Sequence, residues 1–227
     1  MSDFGSNESY FQQEKNKADA VQRIKKSRDL PQGFYEKAEG IVAPERLRDS
    51  EPHITINGSV DQEMFKDVSL TLEELRREKG VINKLNVSFS SFGGSVTTGF
   101  GIHDLIRVFS REEKAPVTIT GYGPIMSMGA LIIQAGDIRR MPKNSRMLLH
   151  PVSTSLWPDD VGRQEHRLAE SKAVQRFYTE IVAERVQKAG KDIAAQDVHN
   201  LMYANDGVGT FLTSQQALEL GLIDEAV

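Results

Sequence analysis

Between residues 53 and 136 the sequence passes three times from a strand-like apolar pattern to a helical one, and that alternation confines the chain to a few architectures. The first segment, H-I-T-I-N-G at residues 53–58, alternates as a half-buried strand does and ends in a turn. Residues 61–79 carry Met64, Phe65, Val68, Leu70, Leu72 and Leu75 at approximately helical spacing, and Gly80 closes the pattern. The second strand, residues 84–90 with L-N-V-S-F, runs into S-F-G-G-S at 91–95. After it, residues 97–109 set Phe100, Ile102, Leu105, Ile106 and Phe109 on one helical side. The third strand, P-V-T-I-T at 116–120, leads through small residues to a helix that is apolar almost all round from Met128. Strands separated by helices pair in parallel beneath their crossovers. The expected fold class is therefore α/β, with repeated βαβ units and a parallel sheet covered by helices.

Ser127 stands where the third strand gives way to its helix. A hydroxyl there lies near unpaired backbone N–H groups and the positive end of a helix dipole, which stabilise an oxyanion and suit a nucleophile. Serine also serves as a plain N-cap at such junctions, and the stretch by itself admits either role. A serine hydroxyl needs a base to attack an amide, and the base needs a partner that fixes its tautomer. Of the five histidines, His53 begins a strand, His103 follows Gly94 on a helix, and His166 and His199 lie on charged helices. His150 ends a strand close in sequence to the serine's own βα unit. Strand ends on one edge of an α/β sheet converge, so Ser127 and His150 are expected to face each other. A strand-end histidine bonded to backbone is the equal alternative. Gly93-Gly94, at the preceding strand-to-helix turn, leaves N–H groups open to a substrate oxygen.

Several functions are excluded. With no cysteine there is no disulfide, no thiolate metal site and no cysteine nucleophile. A net charge of -4 gives no electrostatic case for nucleic acid. Phosphate-loop and dinucleotide glycine patterns are missing, and His150 has no ligand at metal spacing, so no cofactor is expected. The polar start, M-S-D-F-G-S-N-E-S, is no secretory signal, and no apolar run approaches the ~20 residues of a membrane span. These features predict a cytoplasmic protein with no membrane partner.

Residues 1–51 differ from the rest. Phe11, Ala18, Val21 and Ile24 are thinly spaced among Gln, Lys, Arg and Glu, and Pro31-Gln32-Gly33 interrupts the pattern. Such a stretch buries too little to stand alone and reads as a mobile extension, propeptide or docking arm, with the compact domain at 52–227. Past His150, residues 138–142 and 145–150 are strand-like, and 153–160, with Trp157-Pro158, is a loop. The longest helical pattern spans 161–188 and is long enough to pack against another subunit. A helix at 192–203, the loop A-N-D-G-V-G at 204–209 and a capping box at T-S-Q-Q, 213–216, follow.

Four motifs together resemble a known family: S-S-F-G-G-S-V-T-T-G-F-G-I-H-D, G-Y-G-P-I-M-S-M-G-A-L-I-I-Q-A-G, M-P-K-N-S-R-M-L-L-H-P and F-L-T-S-Q-Q-A-L-E-L-G-L-I-D. In order and at suitable spacing they are similar to the Clp protease proteolytic subunit, ClpP, and its phage-encoded relatives. The resemblance implies a ClpP/crotonase-like fold with a protruding handle helix, here from Val161, and a serine endopeptidase with a Ser-His-Asp triad. It implies rings of seven subunits stacked into a barrel, and protein degradation alongside an AAA+ unfoldase. Ser127 falls at the nucleophile, His150 at the general base, and the N–H groups of Gly94 and Met128 at the oxyanion hole. The third triad member belongs to the loop before F-L-T-S, which offers Asp206 with Asn205 as the alternative; a carboxylate stabilises the imidazolium better than an amide. Phage-type capsid maturation and an inactive ring-forming homologue are the other functions this resemblance allows. An acyl-CoA enzyme of the crotonase kind shares the fold but has no need of serine and histidine at these positions.

Overall fold

A computed structural model describes residues 51–77, 81–153 and 160–227. Apart from Glu51, the expected extension lies outside the described residues, as does Trp157-Pro158 of the predicted loop.

The elements follow the predicted alternation: β1 (His53–Val60), α1 (Gln62–Arg77), β2 (Leu85–Gly94), α2 (Val96–Glu113), β3 (Val117–Met126) and α3 (Met128–Ile132). A 3-10 turn at Ile133–Ala135 leads to β4 (Ile138–Met141) and β5 (Arg146–Leu149), and α4 (Val161–Lys188) and α5 (Ala195–Tyr203) come next. The chain ends with β6 (Thr210–Thr213), α6 (Ser214–Glu219) and β7 (Glu225–Ala226). The sheet runs β1-β2-β3-β4-β7, with β5 added beside β3 and β6 beside β5. Every pairing is parallel except β5 with β6. The result is the expected α/β class, a mostly parallel sheet flanked by helices.

Period-two burial along β2 sends Leu85, Val87, Phe89 and Ser91 inward and leaves Phe92 exposed. Ile102, Ile106 and Phe109 of α2 are fully buried against this layer, as the spacing predicted. Ser95 caps α2, its side chain accepting from the Thr98 N–H. At the carboxyl end the capping box holds as read: Thr213 and Gln216 cap α6 reciprocally. The 28-residue α4 matches the predicted bounds; Tyr178, Val182, Ala183 and Val186 bury its second half.

The largest departure concerns β3. Its G-Y-G-P reads as a turn, yet the strand continues through it to Met126. Thr118–Thr120 pair with β4, whereas Pro124, Ile125 and Met126 pair with Arg146, Met147 and Leu148 of β5. The small residues let one strand bend from one neighbour to the other. Gly123 adopts φ 65°, and a Cβ on Gly121 would lie 2.7 Å from Ile125 Cγ1. Buried Ser145 clamps the bend, its Oγ donating to Gly121 O at 2.9 Å and accepting from Gly123 N at 3.0 Å.

Two carboxylates tie the elements. Fully buried Arg139 donates to Asp224 through Nη2 at 2.7 Å and Nε at 2.9 Å, and to Gln134 Oε1 at 2.6 Å, joining β4 to the segment before β7. Asp137 accepts from Val117 N at 2.9 Å, Arg107 Nη1 at 2.7 Å and Ser110 Oγ at 2.7 Å, joining α2 to β3. Desolvation pushes both carboxyls up. It is outweighed at Asp224 by Arg139, and at Asp137 by Val117 N–H, Arg107 and Ser110, so both titrate below their ordinary range. Their contribution is therefore complete above the unfolded carboxylate value of about 4 and is lost as pH falls through the lower folded values. Urea midpoints are expected to drop steeply below about pH 4. Asp224→Ala, which leaves Arg139 buried without its carboxylate, is expected to cost about 3–5 kcal/mol at neutral pH and to flatten that acid dependence.

Candidate active site

The bend in β3 delivers Ser127. Its N–H donates to Leu148 O of β5 at 3.0 Å, and its own carbonyl accepts from Ala130 N at 2.9 Å and from Tyr178 Oη of α4 at 3.1 Å. Between these anchors the serine takes φ 56° and ψ −123°, a conformation costly for any residue with a Cβ. Its side chain makes no capping bond, so the plain N-cap role is not the one it plays. A sharp, strained strand-to-helix turn that leaves a hydroxyl half-exposed is the geometry of a nucleophile elbow. α3 has only five residues, so little dipole reaches the site and individual N–H groups must do the electrostatic work.

His150 arrives from the next strand. Because Met126 pairs with Leu148, the residues just beyond those two, Ser127 and then Leu149–His150, lie on one edge of the sheet. No hydrogen bond joins Ser127 to His150 among the described residues; apo sites are often this loose. The imidazole Nδ1 lies 2.8 Å from Pro151 O. A carbonyl only accepts, so Nδ1 carries a proton, and in the neutral ring Nε2 keeps its lone pair. Of the other histidines, His166 is exposed on α4 and three are otherwise engaged. His53 Nε2 meets Ser88 Oγ at 2.8 Å, His199 stacks on Tyr203, and His103 is buried, which depresses its pKa, beside Asp104.

The two glycines divide their duties. Gly93 is buried against the serine: a Cβ there would stand 2.5 Å from Ser127 Cβ and 3.0 Å from its Oγ. Gly94 pairs with Val60 of β1, and Ser95 N donates to Val60 O at 2.7 Å. In a parallel ladder the residues flanking Gly94 then make the bonds to β1, which turns the Gly94 N–H away from β1 toward the side on which β3 lies. The Met128 N–H, first in α3, has no hydrogen-bond partner among the described residues.

Asp206 and Asn205 are not brought to the imidazole by any hydrogen bond. Asn205, Asp206 and Gly207 take consecutive positive φ values of 55°, 57° and 84°, curling the loop on itself. Asn205 Nδ2 donates to Gly209 O at 2.9 Å, while Asp206 is exposed and forms no hydrogen bond among the described residues. The residue packed on His150 is Gly209, whose absent Cβ would lie 2.8 Å from His150 Cβ and would also press on Leu149 O.

Sequence reading missed Tyr178 and Gln175, placing the first on the apolar side of the long helix and assigning the second no role. Burial pushes the Tyr178 phenol well above its ordinary pKa, which keeps it a neutral donor to the Ser127 carbonyl. Buried Gln175 accepts from Val152 N at 2.7 Å, just past His150. Neither partner is near in sequence, so no local signal existed to find them. Among the described residues no cluster of metal-ligating side chains occurs, and no helix is long and apolar enough to cross a membrane.

Tyr178→Phe leaves the Ser127 carbonyl with one donor. A loss of about 1 kcal/mol is expected in urea unfolding, with the secondary structure unchanged by circular dichroism.

A family model described as Clp protease matches residues 41–227 of this chain.

Proposed function

The chain belongs to the Clp protease family, and from that premise we propose that it is a serine endopeptidase whose nucleophile is Ser127 and whose general base is His150. The observation that carries this reading is the strained, uncapped Ser127, set on the same sheet edge as a histidine whose Nε2 lone pair is free. On binding, the Ser127 hydroxyl approaches His150 Nε2 and the scissile carbonyl carbon together. The Oγ–C bond forms as the proton passes to Nε2, and the carbonyl π pair moves onto oxygen, facing the N–H groups of Gly94 and Met128. The C–N bond then breaks, with the Nε2 proton leaving on the amine. Water repeats the sequence on the acyl ester, giving its proton to Nε2 and restoring the serine. No cofactor is required. For the partner of His150 the geometry favours a main-chain carbonyl over Asp206 or Asn205.

We further propose that this chemistry takes place inside a ring assembly of the chain, with substrates delivered by an AAA+ unfoldase. Exposed Val161, Leu168 and Phe177 on α4 support an assembled state, since an isolated subunit leaves them in water. Trimming of capsid proteins by a phage-type enzyme uses the same site, and adjacent genes distinguish the two. Ser127→Ala is expected to abolish labelling by a fluorophosphonate probe and cleavage of small peptides while the sedimentation behaviour stays that of the parent. Undiminished labelling would overturn the assignment of Ser127. An assembled parent that neither labels nor cleaves is instead a ring-forming homologue without activity.

A further inference from the structure

The Pro151–Val152 peptide lies between two side chains of different origin. Its carbonyl accepts from His150 Nδ1 at 2.8 Å, and its N–H donates to Gln175 Oε1 of α4 at 2.7 Å. Gln175 is itself buried, and its Nε2 meets Met202 Sδ of α5 at 3.0 Å, so both ends of the amide are engaged. The peptide cannot rotate without leaving the N–H or the Gln175 oxygen unpaired in a poorly solvated place. Against the Cα and Cβ of His150 stands Gly209, which has no side chain to offer and no room for one. Asp206 points its charge into solvent from a left-handed loop that Asn205 closes with its own amide.

Resting on the Ser127–His150 reading, we propose that the Pro151 carbonyl replaces a carboxylate as the partner of His150, and that Gln175 is the positioning residue that holds it there. The third member of a serine triad fixes the imidazole tautomer and orientation, and stabilises the imidazolium. A carbonyl accomplishes the first by accepting only from Nδ1–H. Its dipole supplies part of the second, directed along the same bond. Gln175 acts through the peptide and never touches the substrate.

The test uses the full chain, its acylation rate by a fluorophosphonate, and the nitrogen-15 signals of His150. In the parent, Nδ1 is expected to be protonated and Nε2 bare at neutral pH. Gln175→Met, which keeps the bulk and removes the acceptor, is expected to slow acylation more than about tenfold and to mix the tautomers. Gln175→Glu, which restores an oxygen toward Val152 N, is expected to recover the rate to within about tenfold of the parent. Glycine tolerates the left-handed backbone, so Asn205→Gly and Asp206→Gly remove the side chains without straining the loop; each is expected to acylate within about tenfold of the parent. A larger loss in either loop variant overturns the inference, as does a parent His150 protonated on Nε2. Unchanged acylation in Gln175→Met, or no recovery in Gln175→Glu, overturns it too. If Gln175→Met does not fold by circular dichroism, the tautomer and the loop variants decide. A parent that the probe does not label defeats the peptidase reading alone, because the tautomer is read without turnover.

Discussion

The change of partner along β3 is the constraint on which the site depends. Its first half is hydrogen-bonded between β2 and β4, and its last three residues lean on β5 instead. A strand can do this only where the backbone is unencumbered, and Gly121 and Gly123 supply that place under the clamp of Ser145. Everything beyond the bend is aimed by it. Ser127 is forced into a positive φ because its N–H is committed to β5 and its carbonyl to both Ala130 and Tyr178. The strain is maintained by bonds to three separate elements, which is how a fold keeps a residue in a conformation it would not choose.

The same bend explains why the histidine is close. β5 meets β3 only along its displaced end, so the strand that receives Ser127 leads directly into His150. Gly93, at the end of β2, closes the third side with its missing Cβ against the serine. The placing of Ser127, His150, Gly93 and Gly94 is therefore one consequence of sheet topology and not four independent placements. Ion pairs at Arg139–Asp224, with the arginine fully buried, and at half-buried Arg107–Asp137 brace that side of the sheet, where the short strands β4 and β7 contribute few hydrogen bonds of their own.

Much of this was legible beforehand. The alternation of patterns called the α/β class and the first three βα units, because period two and period 3.6 are imposed on a strand and a helix by backbone geometry alone. Ser127, His150 and the glycines were legible through their places at strand ends. The donors Gly94 and Met128 were expected only through the family resemblance; Gly94 ends β2 beside Val60, and the Met128 N–H has no partner among the described residues. G-Y-G-P was misread as a turn because glycine and proline mark a turn and a strand bend with the same letters. The strands β6 and β7 escaped notice because β6 runs straight into the capping box read at 213–216, and the two residues of β7 are too short to display a period.

What the sequence by itself determined is most of the elements and which side chains are the candidates for chemistry. Local propensity and hydrophobic spacing are properties of neighbouring residues and need no fold to be read. The tertiary structure alone decided what orients those side chains. Tyr178 is 51 residues from the carbonyl it holds, Gln175 is 23 residues from the peptide it clamps, and Gly209 meets His150 only because β6 turns back along β5. The loop at Asn205–Asp206 shows the same division. Its composition offered a carboxylate, and a run of left-handed residues turned that carboxylate into water.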